Sequence, residues 1–448
     1  MTRDDAPIEA ATPRAVARSC IDAGVEAAHP ATVVEDAVSL TEDGLEIDGA
    51  VYDLASYDDV LVLGGGNAAG KVAAALESIL GDRLTGGVVV TDVPEPLSTI
   101  DVVTGSHPTP NERGVAGAER VLAHATGATA DTLVLGVITG GGSALLPAPA
   151  GDVTLADLQT VTDDLLGTGA TIHEINAVRK HLSAIKGGRL AAAAAPATVV
   201  GLLLSDVVGD DLDVIASGPL VPDSSTYADA LDVIDRYDVT LPPRAERHLE
   251  RGTEADLAET PTPDADAFVR VETHVLANGL TALRAAADTA ADHGYTPLVL
   301  SSRVRGEAHE AAKTHVGIAE EIRATGTPLD PPAVVLSGGE TTVTLSTGSG
   351  AGGPNQEFAL SAAIELDADG IVVGSVDTDG IDGASDAAGA IIDAKTVDET
   401  TKEARAALAS NEAAPFLEAA DALVETGPTG TNVNDLRVLV VDDTDATN

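Results

Sequence analysis

The chain has 448 residues, with 25 Lys and Arg against 72 Asp and Glu, a formal charge of −47 on a background that is 44% hydrophobic. That apolar content excludes disorder as the reason for the acidity, and at roughly 100–200 residues per domain the length suits two domains. Without a Lys/Arg stripe to displace phosphate counterions, nucleic acid is excluded as a partner.

Lys contributes only six of the basic residues and Trp is absent, a composition that suits a high-salt cytoplasm. Molar salt shortens electrostatic screening to about 3 Å, and dense carboxylates keep the surface hydrated where apolar surface would salt out. A halophilic, cytoplasmic protein is therefore expected. The single cysteine, Cys20, can form neither an internal bridge nor a thiolate metal site and reads as a small buried hydrophobe. The first thirty residues mix Asp, Glu, Arg and Pro without the apolar stretch of a secretory signal. The longest apolar run, 190–204, is broken by Pro196 and too short to span a bilayer, so it predicts a helix end followed by a buried strand, and no membrane partner.

Short β-branched runs follow one another at 60–63, 88–91, 133–139, 199–204, 271–276, 298–300, 334–336, 371–376 and 436–441, most leading into a turn and an Ala-rich helical stretch. They are continuously apolar rather than alternating, as strands covered by helices on both faces of a mainly parallel sheet should be. The polar stretch GTEADLAETPTPDAD at 252–266 marks the expected boundary, giving domains 1–262 and 263–448.

Several turns between these elements carry chemistry. In LVLGGGNAAGK (61–71) two patterns overlap: Gly64, Gly66 and Ala69 with Asp92 fit a dinucleotide fingerprint, while Gly65, Gly70 and Lys71 nearly fit a P-loop whose Ser/Thr is replaced by Val72. Both put bare amides and Lys71 where an anion is favoured; close strand–helix packing is the plainer use of such glycines. GSHPTPNERG (105–114) brings Ser106, His107, Asn111 and Arg113 to a turn before a helix. VITGGGSALL (137–146) repeats the strand, Gly turn and helix with Gly140, Gly141, Gly142 and Ser143, the last a helix cap or a phosphate ligand.

Next, HEINAVRKHLSAIKGG (173–188) is the most basic stretch. Helical spacing predicts one face shared by Arg179, Ser183 and Lys186, beside Lys180, for an anionic ligand or for neighbouring acids. Asp206 follows an apolar strand, with Asp210 close behind, in an arrangement suited to activating a hydroxyl or holding a hard cation. The C-terminal half offers Gly, Asn, Asp and Thr loops at 336–345, 346–356, 373–391 and 427–436. DTDGIDG, with Asp377 and Asp379, fits magnesium held by one or two carboxylates plus phosphates.

SHPTPNERG, ITGGGSALL, INAVRKHLSAIKGGRLA, SDVVGDDLDVIASGP, SGGETTV, NQE and TDGIDG in this order resemble the class II glycerate kinase family, whose C-terminal half is the MOFRL domain, along essentially the whole chain. The resemblance implies an α/β fold of two domains: an N-terminal Rossmann-like three-layer domain with a mainly parallel sheet, and a smaller mixed α/β C-terminal domain. It implies ATP-dependent phosphorylation of D-glycerate, usually to 2-phosphoglycerate, in a cleft between the domains, with Mg2+. It also assigns nucleotide contacts to Gly64, Gly65, Gly66, Asn67, Gly140, Gly141, Gly142, Ser143, Lys180, Glu340 and Asn355. Acceptor contacts fall to Ser106, His107, Arg179 and Gln356, metal contacts to Asp206, Asp210, Asp377 and Asp379, and catalysis to Lys71 and Asp206. A homodimer is a further expectation. The chain departs from the family twice: Asn67 stands at the family's usual Lys, and Pro354 at the usual Arg of Gly-Gly-Arg-Asn-Gln-Glu. Lys71, Arg113, Arg179, Lys180, Lys186 and Arg303 are the cations available to compensate. The competing readings are an NAD(P)H-dependent hydroxypyruvate reductase, for which the fingerprint and Asp92 argue, and a nonenzymatic ligand-binding protein on the same fold.

Overall fold

The computed structural model describes residues 11–345, 350–398 and 400–443. They divide into two compact units, one of residues 30–278 and one that joins the chain up to residue 29 with residues 279–448.

The 30–278 unit opens with an antiparallel meander, β1 (Val38–Thr41), β2 (Gly44–Ile47) and β3 (Ala50–Tyr52). Six parallel strands follow: β4 (Asp59–Gly65), β5 (Gly86–Thr91), β6 (Asp101–Thr104), β7 (Thr132–Thr139), β8 (Thr198–Leu204) and β9 (Val271–Ala277). Their order in the sheet is β6-β5-β4-β7-β8-β9. The apolar runs of β4, β5, β7 and β8 become the inner strands, and every residue of β7 is buried, while the run at 271–276 becomes the partly buried edge strand β9. The chain winds outward from β4 through β5 to β6, then returns to lay β7 on the other side of β4. This is the order of a doubly wound dinucleotide-type fold, and its switch point lies between β4 and β7, where such sheets open a crevice beyond the strand C-termini.

The second unit holds a mixed sheet of order β10-β11-β15-β12-β13-β14, from β10 (Thr296–Val304), β11 (Ala333–Gly339), β12 (Ile371–Asp377), β13 (Gly389–Asp393), β14 (Leu423–Val424) and β15 (Asp435–Val441). Only β10 and β11 run parallel; the other pairings are antiparallel. The helix Pro13–Ala27 packs Val16, Ala17, Cys20 and Ile21 onto this sheet with Leu436 and Val438. Cys20 is fully buried, and desolvation pushes its thiol up to about 11, so it is a packing residue. Among the described residues no helix is long and apolar enough to cross a membrane.

The division differs from the expected 1–262 and 263–448. The stretch 252–266 is polar because its polar groups are used: Glu259 accepts from the Tyr227 amide and meets His181 Nε2 at 3.1 Å, and Thr260 is buried. The run at 271–276 then pairs in parallel with β8, which carries the first unit on to residue 278.

Candidate active site

Four loops, those after β4, β6, β7 and β8, gather at the switch point. Gly66 has φ +142 and lies so close to β7 that a Cβ there would fall 2.1 Å from Thr139 Oγ1. The amides of this loop turn inward: Gly66 donates to Val90 O at 3.0 Å, Asn67 to Gly140 O at 2.8 Å, and Ala68 to Thr139 Oγ1 at 3.2 Å. The bare amides expected at Gly66 and Asn67 are therefore consumed, Gly66 in tying the first loop to β5 and Asn67 in tying it to the second loop. What the first loop still offers is the helix Ala69–Leu80 with no side-chain cap, the half-buried Lys71 in its first turn, and Asn67 Oδ1, buried and without a hydrogen-bond partner among the described residues.

The second loop leaves β7 at Gly140 and enters the short turn of helix Gly142–Leu145. Its own amides at Gly140 and Gly141 make no hydrogen bond to a described residue. Side chains from three directions converge on it. A Cβ on Gly140 would lie 2.2 Å from Asp206 Oδ2, and one on Gly141, at φ +73, would lie 1.8 Å from Asn67 Oδ1 and 3.1 Å from His107 Cδ2. Only glycine fits beneath them. Asp206, just past β8, is half-buried; desolvation holds its carboxyl above the usual range, against its own backbone amide and the His107 side chain, which pull it down. Ser106 is half-buried beside His107, while Asn111 caps the helix Glu112–Gly127 by accepting from the Gly114 amide at 2.9 Å.

On the far side of the same loop, Ser143 Oγ meets Ser217 Oγ at 2.8 Å, and Ser217 donates to Asn176 Oδ1 at 3.0 Å. Ser143 is thus a member of a hydroxyl chain rather than a cap, and Ser217 is a site residue that the sequence reading missed; IASGP, with its Ser before Gly-Pro, is the signal that held it. The basic stretch also differs from expectation. The helix Ile172–His181 ends at Leu182, and Gly187 and Gly188 turn the chain at φ +58 and +77, so Arg179, Ser183 and Lys186 do not share one helical face. Lys180, expected at the nucleotide, is buried and ion-paired with Asp213 and, at 3.1 Å, Asp223. Asp210, at φ +59, accepts from Asn278 Nδ2 at 2.9 Å.

In the second unit the acids cluster where β12 ends and β15 begins, since Asp377 and Asp435 are directly opposed across the ladder. Burial, then the neighbouring Asp379 and Asp435, drive Asp377 well up, and Asp379 is raised with it. Asp382 caps the helix Pro354–Glu365 from outside: it accepts from the amides of Asn355 at 3.0 Å and Gln356 at 2.8 Å, and burial nonetheless pushes it up to about 7. Asn355 and Gln356 are fully buried; Asn355 is held by Asp382, Asp435 and Ser375, so it braces the loop, whereas Gln356 donates to Ser385 Oγ at 2.5 Å and its Oε1 has no hydrogen-bond partner among the described residues. Glu340 is exposed just past β11. Asp435, itself held by Thr341 and the buried Arg437, was not singled out as a ligand from the sequence, whereas Asp382 lies within the DTDGIDG stretch offered for magnesium. Among the described residues no three His, Cys, Asp or Glu side chains form a metal cage. Of the loop 346–356, residues 346–349 lie outside the described residues.

A model described as a domain of unknown function (DUF4147) matches residues 16–250, and the MOFRL family model matches residues 333–435. A Pyrococcus horikoshii protein named glycerate 2-kinase is 37% identical over 436 residues, covering 96% of this chain and 97% of that protein. An Agrobacterium vitis protein provisionally named hydroxypyruvate reductase is 44% identical over 388 residues, covering 85% of this chain and 87% of its own. The crystal structure of a Thermotoga maritima protein named glycerate kinase superposes with a TM-score of 0.85 at 36% identity, covering 96% of this chain and 99% of that one.

Proposed function

The chain belongs to the MOFRL-containing glycerate kinase family, and on that premise we propose that it phosphorylates D-glycerate at the expense of ATP, giving 2-phosphoglycerate. The observation that carries this reading is the switch point, where Asp206 stands against the glycine turn 140–142 with Asn67 and His107 over the same turn. Phosphoryl transfer needs placement and charge neutralisation more than covalent chemistry, and this crevice offers a carboxylate, a cation and unclaimed amides.

In the proposed reaction Asp206 accepts the proton of the 2-hydroxyl as its oxygen forms a bond to the γ-phosphorus, while the β–γ anhydride bond breaks and ADP departs. Ser106, His107 and Arg179 hold the acceptor. Lys71 and the amides of Gly140 and Gly141 meet the phosphates. The repelling carboxylates at Asp377 and Asp379 fit a divalent ion, since magnesium takes one or two carboxylates and completes its shell with other oxygens and water. When bound, that ion would relieve the repulsion of these carboxylates and present a positive charge.

A reductase reading is favoured by the strand order, by Asp92 just past β5 and by the name of the Agrobacterium vitis relative. Against it stand the amides of Asn67 and Ala68, which would be needed for a dinucleotide pyrophosphate and are bonded instead to Gly140 and Thr139. A coupled assay with ATP, magnesium and D-glycerate in molar KCl, with phosphorus NMR of the product, decides the matter. ADP release with 2-phosphoglycerate, abolished by excess EDTA, is expected. NADH oxidation by hydroxypyruvate without ADP release would replace the kinase reading with the reductase.

A further inference from the structure

In a chain that carries 72 acidic residues, two neighbouring cations of the basic stretch, one buried and one half-buried, make no ion pair to a described residue. Lys186 is 5% exposed, and its Nζ donates to the Ser143 carbonyl at 2.9 Å without an ion pair to any described residue. Arg179, half-buried on the helix Ile172–His181, likewise pairs with no described carboxylate, and its charge bears on Lys186. The neighbouring Lys180 shows that carboxylates are at hand, since it takes both Asp213 and Asp223. An unpaired buried ammonium beside a second cation is among the costliest arrangements in a fold, and it persists where a ligand supplies the missing charge.

An independent feature points into the same place. Asn176 is 1% exposed, and its Oδ1 is engaged by Ser217, but its Nδ2 has no hydrogen-bond partner among the described residues. Ser217 in turn touches the Ser143 hydroxyl and Lys186 the Ser143 carbonyl, so a buried amide donor, two hydroxyls and an ammonium meet at the turn whose Gly140 lies against Asp206, with Arg179 near enough for its charge to bear on Lys186.

We infer that Lys186 and Arg179, with the Ser143 hydroxyl and the Asn176 amide, bind the carboxylate of a 2-hydroxy acid. The identity of the acid rests on the kinase reading above. The donor set favours a carboxylate over a phosphate chain: a guanidinium grips the two oxygens of one planar anion, and Lys186, anchored at the Ser143 carbonyl, adds a single point charge. With the carboxylate held there, the adjacent hydroxyl carbon is directed along the turn toward Asp206. The site also supplies positive charge that Asn67 does not.

Desolvation, then Arg179, hold Lys186 down at about 7. Arg179 is the charged group that bears on it; the segments 142–145 and 215–218 carry no ionisable side chain, and Lys180 is held by its own acids. A bound carboxylate favours the ammonium form, so binding at mildly alkaline pH takes up a proton.

The test is calorimetric titration of the full chain with D-glycerate, D-lactate and ATP at one fixed salt concentration. Wild type, Lys186→Met, Lys186→Arg and Arg179→Met are compared. Lys186→Met should weaken both hydroxy acids about tenfold or more and leave ATP within about threefold, and Lys186→Arg should restore most of the loss. Wild type should take up protons in a buffer-dependent manner that Lys186→Arg abolishes. Without ligand, Lys186→Met should melt no lower than wild type, because it removes an unpaired buried charge, whereas a merely structural lysine would lower the melt. If Lys186→Met does not fold, Arg179→Met carries the same affinity prediction. Unchanged hydroxy-acid affinity in the folded variants, a loss that falls on ATP instead, or a wild type that binds neither acid would each overturn the site. Binding of the acids without ADP formation in the coupled assay would sink the kinase reading and leave the site standing.

Discussion

Asp206 is held against Gly140 by a strand end and a turn, and burial keeps its carboxyl above the ordinary aspartate range. A base that must be deprotonated then loses activity on acidification at a higher pH than an exposed aspartate would. The pH–rate profile of the coupled assay should show that limb, and Asp206→Asn should remove it while lowering kcat by about 10²–10⁴ with ATP affinity within a few-fold. Normal single-turnover chemistry with lost ATP binding would instead make Asp206 a nucleotide or metal ligand. Lys71 makes a second case. With Asn67 at the family's Lys, and the Asn67 amide bonded to Gly140, Lys71 in the first turn of the helix Ala69–Leu80 is the cation left to that loop. Lys71→Ala should cost about 10²-fold in kcat/KM; an unchanged value would mean that phosphate charge is met elsewhere.

Elements position these residues by spending their own polar groups on one another. The loops after β4 and β7 are stitched through Thr139 and the carbonyl of Gly140, so the first cannot open toward a ligand without releasing the second. The helix Pro354–Glu365 is a clearer instance. Its N-cap, Gly353, has no side chain to offer, and Asp382 from a distant turn accepts the Asn355 and Gln356 amides in its place. Asp382→Ala would leave two buried donors unsatisfied at a cost of about 3 kcal/mol, with Asp382→Asn between it and wild type. Urea unfolding of the full chain measures this, and a midpoint equal to wild type would show the helix to be held by packing alone.

For the whole molecule, charge is the dominant fact. At low ionic strength screening extends to about 10 Å or beyond, so 72 carboxylates against 25 cations repel across the entire surface. The melting temperature by circular dichroism should rise steeply between about 0.1 M and about 3 M KCl, and activity with it. A melt that does not move would remove the halophilic reading.

Nine strands of the two six-stranded sheets were legible in the sequence as apolar runs, and the inner ones for the reason β7 shows, that a run of β-branched residues between turns has one stable fate when both faces are covered; β6, β13 and β14 were not legible. The glycine turns and Asp206 were legible for a related reason: in an α/β alternation the residues after each strand face the crevice. Assembly was not legible, because it depends on partners remote in the chain. Local pattern cannot place the helix Pro13–Ala27 on the C-terminal sheet, or tell that Glu259 is pinned by Tyr227 rather than loose in a linker. Nor can it sort three basic residues that stand within one short stretch. Lys180 met Asp213 and Asp223, while Arg179 and Lys186, separated by a helix end and a turn rather than aligned on one face, were left without an ion pair to a described residue. Residue type decided that there would be charge at this turn, and only tertiary contacts decided which charges are neutralised within the fold and which remain for a ligand.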